Sequence, residues 1–244
     1  MTRTIHSTPL PAAVPGRVHK QRITQVRDPY DALRFWSAFT HGLGALLSVL
    51  SGAALIVLAV CRGSGALDVV SLSVYTASMT ALYLASCLYH CVNTSVRGRL
   101  FLRKLDHSMI YVLIAGTYTP VCLSALGGAL GWSLFGVIWG LAVVGVIVTL
   151  CWLNAPRILT TMFYVGMGWM AVLALQPLTA ALSASAFFWM MAGGVAYTVG
   201  GAMYALKWPL KDHARFGCHE VFHLFVLLGS ACFVLMMGAV YMGI

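Results

Sequence analysis

The most regular feature of the chain is the spacing of its charged residues. Five long stretches contain no Asp, Glu, Lys or Arg: 35–61, 69–96, 107–156, 158–206 and 221–244. A helix needs about 20 apolar residues to cross the hydrocarbon core of a membrane. The third and fourth stretches are therefore long enough for two helices each, with turns expected at "GGALG" (127–131) and "TAALSASA" (179–186). The pattern predicts an all-α membrane protein, a bundle of seven transmembrane helices.

The overall composition agrees with this prediction. The chain is 60% hydrophobic and 9% charged, with a mean hydropathy of +0.88, whereas about a quarter of the residues of a soluble domain are charged. Two glycine pairs with i, i+4 spacing, Gly127/Gly131 and Gly136/Gly140, are typical of close packing between membrane helices. We therefore expect tight helix contacts at both pairs.

The positions of lysine and arginine predict the orientation of the bundle. If the N-terminus is cytoplasmic, 14 of the 15 basic residues lie on the cytoplasmic side and only Arg62 lies outside, as the positive-inside rule requires. The C-terminus is then expected outside. Because the basic residues are spread over four juxtamembrane segments, the net charge of +9 reflects topology, and no nucleic-acid partner is expected.

The first 33 residues differ from the rest of the chain. They are basic, contain Pro9, Pro11, Pro15 and Pro29, and lack the apolar core of a cleavable signal peptide. Their composition is typical of a disordered segment. The predicted organisation is a cytoplasmic leader, residues 1–33, followed by a membrane domain, residues 34–244.

Ionisable residues within the predicted helices are confined to one layer. Because a helix rises 1.5 Å per residue, all of these residues lie within roughly 15 Å of the cytoplasmic face. They are His41, His90, Asp106, His107, His219, Glu220 and His223. Such groups are costly inside a membrane and usually mark a functional site. Four different helices contribute to the layer, so the sequence predicts a polar site at the cytoplasmic end of the bundle.

The spacing of the histidines indicates a metal site. His219 and His223 are one helical turn apart on the same helix face, and His90 provides a third nitrogen from the second helix. Three protein ligands and a water form the usual catalytic zinc site. Asp106 would accept a hydrogen bond from that water, and Ser86, one turn before His90, would donate to the water or to a substrate carbonyl.

Other interpretations of the same layer remain open. His41 and His107 could be hydrogen-bonded packing residues. Cys87, Cys91 and Cys218 are alternative metal ligands next to the layer.

The segment "HEVFH" (219–223) matches H-E-x-x-H, the zinc-binding pattern of many metalloproteases. In an intramembrane zinc protease the third ligand is often an aspartate in an Asn-Pro-Asp type motif, and the sequence contains no such motif. Glu220 is rotated about 100° from His219 around the helix axis, so we assign it a secondary role. The motif therefore indicates zinc chemistry other than proteolysis.

Four segments together resemble the hemolysin III family of the progestin and adiponectin receptor superfamily. They are "FTHGLGALLSVL" (39–50), "ASCLYHCV" (85–92), "LRKLDHSMIYVLIAGTYTPVCL" (102–123) and "HEVFHLFVLLGSACF" (219–233). The resemblance implies seven helices in a bacterial cell membrane and an intramembrane zinc near the cytoplasmic face. It implies that His90, His219 and His223 are the ligands, supported by Ser86 and Asp106. The chain differs from many relatives at Ser37, where they have asparagine, and at Phe233, where they have histidine.

Two classes of function follow from these features. A wider resemblance to alkaline ceramidases implies a zinc-dependent hydrolase acting on an amide or ester bond of a membrane lipid. The alternative is a non-enzymatic protein with a structural zinc that joins helices two and seven, either a receptor-like regulator of membrane state or a hemolysin-type pore. A pore needs a polar stripe along whole helices, whereas the outer halves here are apolar, as in "VLSGAALIVLAV" (49–60). The pattern favours a buried site over a pore.

Overall fold

The computed structural model describes residues 33–210 and 216–243. This part of the chain is helical, contains no strand, and includes seven helices long and apolar enough to span a membrane: α1 (Phe35–Cys61), α2 (Ala66–Cys91), α3 (Val96–Leu126), α4 (Gly128–Cys151), α5 (Arg157–Ala181), α6 (Ala184–Leu206) and α7 (Cys218–Met242). The predicted fold class and number of helices are confirmed. The predicted leader lies outside the described residues, apart from Leu33.

The chain reverses direction within both predicted turn segments. α3 and α4 are separated by Gly127 alone, whose φ of 62° lies in the left-handed region that glycine adopts without steric cost. Between α5 and α6, the Ser183 side chain accepts a hydrogen bond from the backbone N–H of Ala186 and caps the new helix. Turn chemistry at these two points therefore divides the long apolar stretches.

Two spans are irregular in ways that the sequence pattern does not predict. α3 is α-helical over Val96–Pro120 and ends in a π-helical segment, Val121–Leu126. α5 contains a central 3-10 segment, Trp169–Ala174. The Tyr118 hydroxyl accepts a hydrogen bond from the Ala171 N–H at 2.8 Å and donates one to the Gly168 carbonyl at 2.5 Å. These bonds pair backbone groups at the irregular segment, which lipid could not do.

The helices meet in a defined order that brings the ionisable residues together. α1 packs against α2 and α7, α2 packs against α3, and α6 packs against α7. The starts of α1, α3, α5 and α7 and the ends of α2, α4 and α6 share one end of the bundle, here called the polar end. There the Arg34 N–H donates to the His90 carbonyl at 3.1 Å, and the Lys104 ammonium donates to the Leu150 carbonyl at 2.7 Å.

The two glycine pairs behave differently from each other. A Cβ added to Gly131 would overlap the carbonyl oxygen of Cys122, so α4 approaches α3 closely at this point. A Cβ added to Gly136 or Gly140 would have no neighbour within 4 Å. The expectation of tight packing within this chain is therefore wrong for the second pair, because those glycines lie on a face of α4 that no other helix covers.

Candidate metal site

Buried polar side chains from α1, α2 and α7 converge at the polar end. Six of them are at most 3% exposed: Ser37, His41, Ser86, His90, Glu220 and His223. His219 and Asp106 are partly buried beside them. The layer predicted from the sequence thus corresponds to side chains that lie near one another, and the contacts below divide it into distinct groups.

Three histidines form the centre of this region, here called the histidine cluster: His90 of α2 and His219 and His223 of α7. The Nε2 atoms of His90 and His219 lie 3.1 Å apart. The His223 ring centroid is 4.5 Å from that of His219 and 5.2 Å from that of His90. One ligand atom from each residue lies within 4.8 Å of the other two. The cluster could therefore hold a metal ion.

The separation of the His90 and His219 ring nitrogens fits such an ion. Ligand nitrogens about 2.0–2.1 Å from a tetrahedral zinc lie roughly 3.3–3.4 Å from each other, close to the separation of the His90 and His219 nitrogens. The Nδ1 atoms of His219 and His223 are buried and have no hydrogen-bond partner among the described residues. An ion between the Nε2 atoms of His90 and His219 would not contact Nδ1 of His219, so that nitrogen needs a further polar partner. Imidazole donors suit the later first-row metals.

His41 belongs to the polar layer but not to the group of potential ligands. Its ring stacks on His223 with centroids 3.6 Å apart and an interplanar angle of 9°, and it meets Tyr83 edge-on at 5.0 Å. A ring stacked face to face on His223 supports that side chain and does not converge on the same point. Within the described residues, the group of potential ligands also contains no cysteine.

Asp106 and Ser86 lie beside the histidine cluster. Asp106 of α3 is close to both Ser86 and His90, and one of its carboxylate oxygens lies 3.5 Å from Nδ1 of His107. The Ser86 hydroxyl is buried and has no hydrogen-bond partner by geometry within the described part of the chain. An acceptor and a donor thus lie together next to the potential metal ligands. His107 Nδ1 also lies 2.9 Å from the Arg103 carbonyl, which favours its interpretation as a packing residue.

A cavity of about 300 Å³ connects this site to the interior of the bundle. Its polar part includes His219, His223, Asp106 and Ser86. Its remaining wall is mostly apolar and comes from α3, α5, α6 and α7: Ile110, Leu113, Ile114, Trp169, Leu175, Met190, Phe222 and Phe233 are among its residues. Two of the side chains that could bind a metal, His219 and His223, are therefore accessible from a largely apolar space.

Glu220, the acid of "HEVFH", does not face the histidine cluster. Its two carboxylate oxygens each lie 3.1 Å from Nη1 of Arg34. It also accepts hydrogen bonds from the Ser37 hydroxyl at 2.9 Å and from the Gly217 N–H at 2.7 Å. The latter contact caps the start of α7. The glutamate is therefore engaged in linking α1 to α7, and its position disfavours a role as a protease base.

Sequence reasoning missed this ion pair. Arg34 was counted among the charges that set topology, although its side chain is 21% exposed and paired with a carboxylate that is 1% exposed. A signal was available, because a buried Glu220 requires a cationic partner and Arg34 is the basic residue that immediately precedes α1. The hydroxyl of Ser37 completes this pair by donating to Glu220.

Phe233 of α7 lies in the cavity wall. Phe233 stacks on Tyr197 with ring centroids 5.6 Å apart and an angle of 18°. The Tyr197 hydroxyl lies 2.9 Å from the Ser230 hydroxyl, which accepts a hydrogen bond from Tyr83 at 2.6 Å. Phe233 therefore contributes apolar surface to the cavity, and hydroxyl groups supply the hydrogen bonding around it.

Comparison with known proteins identifies the family. The family model described as "Haemolysin-III related" matches residues 34–234. The "Hemolysin-3 homolog" of Bacillus subtilis (strain 168) is 41% identical over 195 residues, which are 80% of this chain and 88% of that protein. "Hemolysin-3" of Bacillus cereus is also 41% identical over 195 residues, which are 80% of this chain and 85% of that protein. These relatives and the seven spans of the described residues fit a multi-pass protein of the cell membrane. The chain belongs to the haemolysin III family.

Proposed function

We propose that the protein is a zinc-dependent hydrolase of an amide or ester bond in a membrane lipid. The observation that carries this proposal is the position of the histidine cluster at the polar end of a largely apolar cavity, with Asp106 and Ser86 in the same wall. A metal site that only joined helices would not need a cavity, an acid and a hydroxyl beside it.

Zinc is the metal that best suits this set of ligands. His90, His219 and His223 would hold the zinc through three neutral imidazoles, which would leave its positive charge uncompensated, as in catalytic zinc sites. Zinc held there would lower the pKa of water to about 7 and polarise a carbonyl group.

Asp106 and Ser86 would handle the proton and the oxygen of the substrate. A carboxylate oxygen of Asp106 accepts the proton that the attacking water gives up, and later returns it to the leaving amine or alcohol. The Ser86 hydroxyl donates to the carbonyl oxygen as negative charge develops on it. Ser86 is buried one turn from His90 and lines the cavity, which supports this role.

The shape of the cavity supports a lipid substrate. Its apolar wall, which reaches Met190 and Phe233, would hold an acyl chain. The bond to be cleaved would then lie near Asp106, where Arg103 and Arg157 also line the cavity and provide positive charge for a headgroup. A lipid of the leaflet at the polar end places its linkage at this depth.

A regulator with a structural zinc is the second candidate. It is supported by one observation: the histidines come from two helices, α2 and α7, so a metal would join them. In this case the cavity would bind a lipid without cleaving it, and Asp106 would only orient His90.

Replacing Asp106 with Asn separates the two candidates. Purified protein would be placed in vesicles of mixed lipids and assayed for released fatty acid, and lipid profiles would be compared in cells expressing either form. The hydrolase predicts release by the wild type, loss of release in Asp106→Asn, and unchanged zinc content. Asp68→Asn, at the opposite end of α2, is the matched control and should retain activity. Zinc-loaded wild type that releases nothing and leaves all lipids unchanged would favour the regulator.

A further inference from the structure

Glu220 is one of the most completely bonded side chains at the polar end. It is 1% exposed, and its carboxylate receives donors from an arginine, a serine and a backbone amide. These donors come from α1 and from the residue that precedes α7. A buried carboxylate with this many donors is held in one orientation. Glu220, which directly follows the potential ligand His219 in α7, is thus fixed relative to α1.

Arg34 makes a second connection, to the other helix that carries a potential ligand. Its backbone N–H donates to the carbonyl of His90 at 3.1 Å, while its guanidinium bonds to Glu220. One residue therefore bonds directly to His90 on α2 and to the neighbour of His219 on α7. α1 packs against both of these helices, and Arg34 lies immediately before it, at the level of the cluster.

Metal affinity depends on how well the ligands are placed before the ion arrives. His90 and His219 lie on different helices, so their separation is set by whatever fixes α2 relative to α7. We infer that Arg34 and Glu220 are positioning residues, which set the spacing between His90 and the pair His219 and His223 and thereby the affinity of the site. This inference rests on the metal binding of the proposed function but does not depend on hydrolysis. Loss of groups that orient metal ligands usually weakens binding 10–100-fold.

The test compares zinc affinity with stability in the full-length protein. Zinc Kd would be measured by competition with a chelator, and the melting temperature would be measured with and without zinc. The variants are Glu220→Gln, which keeps the shape of the side chain, Arg34→Met, and both together. Ser183→Ala is the matched control, because it removes the cap of α6 at the opposite end of the bundle.

We expect Glu220→Gln and Arg34→Met each to weaken zinc binding 10–100-fold and to reduce the rise in melting temperature that zinc produces. The double variant should bind zinc no more weakly than whichever single variant has the lower zinc affinity, because both changes break the same ion pair. Ser183→Ala should lower both melting temperatures equally and leave the Kd unchanged.

A purely structural role would give the opposite result. The melting temperatures of both variants would fall, yet their zinc Kd would stay within about twofold of the wild-type value, and the inference would be wrong. If either variant fails to fold, Arg34→Lys and Ser37→Ala take its place, and a Kd unchanged in both overturns the inference. Wild type that binds no zinc would refute the proposed function and this inference together.

Discussion

The two ends of the bundle are stabilised by different kinds of contact. At the end opposite the polar end, the core consists of large side chains with 0–1% exposure, and Leu72, Tyr75, Leu178, Met236 and Met237 are examples. At the polar end, the space between the same helices holds histidines, a glutamate and serines. Within the described residues, every buried histidine and carboxylate lies at the polar end.

The difference separates the end that carries the candidate site from the end that serves only packing. In lipid, helices associate mainly through close packing, because burial from lipid gives no hydrophobic gain. The apolar end meets that requirement. In the described part of the chain, the Tyr75 hydroxyl is a buried atom without a hydrogen-bond partner in the apolar half, whereas at the polar end such atoms include ring nitrogens of three histidines, His41, His219 and His223. Each such atom costs about 1–3 kcal/mol, a cost that water or a polar ligand beside the cluster would offset.

The largest effect is expected when the orientation of the bundle in the membrane is tested with a reporter enzyme. The distribution of basic residues predicts that the polar end is cytoplasmic and that the C-terminus is outside. A phosphatase that is active only outside the cytoplasm should therefore be fully active when fused after Ile244. The same phosphatase inserted in the 92–95 loop should be inactive. Activity in that loop together with inactivity at the C-terminus would reverse the predicted orientation and place the site in the other leaflet.

Metal removal should affect stability through the polar end alone. Binding stabilises the folded protein by about 4 kcal/mol when free zinc exceeds Kd a thousandfold. A chelator should therefore lower the melting temperature of the wild type, and His223→Ala should abolish this zinc dependence. Cys91→Ser is the matched control, because Cys91 is exposed and follows His90 directly. Thermal unfolding in detergent, with metal analysis of each sample, measures both quantities.

A wild-type melting temperature that does not respond to zinc would contradict this prediction. Equal loss of zinc from Cys91→Ser would instead mean that a cysteine belongs to the site.

The sequence predicts the spans and the histidine pair of α7, but not the backbone irregularities of the helices. Hydropathy and charge suffice for the number of spans, because a membrane imposes one length and one composition on every helix. The i, i+4 spacing suffices to place His219 and His223 on one face. Neither signal predicts the 3-10 segment at Trp169–Ala174, since residues facing lipid are apolar whatever the local backbone geometry.

The partner of Glu220 shows a second limit. Helical periodicity places this carboxylate on a different face from His219, but it does not say which helix covers that face. Helix neighbours depend on the order in which spans pack, and α1 and α7 are far apart in the chain. For the same reason the sequence does not predict the stacking of His41 on His223. Spacing and family resemblance predict the three histidines that lie together in the structure, whereas the contacts that position them depend on the tertiary structure.

The smallest predicted effect tests the opposite end of the bundle with two glycines of one helix. Gly131 and Gly136 both lie in α4, and the sequence pattern treats them alike. Gly131→Ala would place a Cβ against the carbonyl oxygen of Cys122, a backbone atom that cannot swing aside, so α3 and α4 must separate locally. We expect a loss of about 1–3 kcal/mol in the free energy of unfolding, as for other overpacked sites. Gly136→Ala meets no atom within 4 Å, and alanine favours helix by up to about 1 kcal/mol, so this variant should be neutral or slightly stabilised.

Because both positions lie towards the apolar end, the difference between them should be the same with and without zinc. Unfolding titrations in mixed detergent micelles measure it, and a Gly131→Ala defect seen only in the zinc-bound protein would mean that the two ends are not energetically separate.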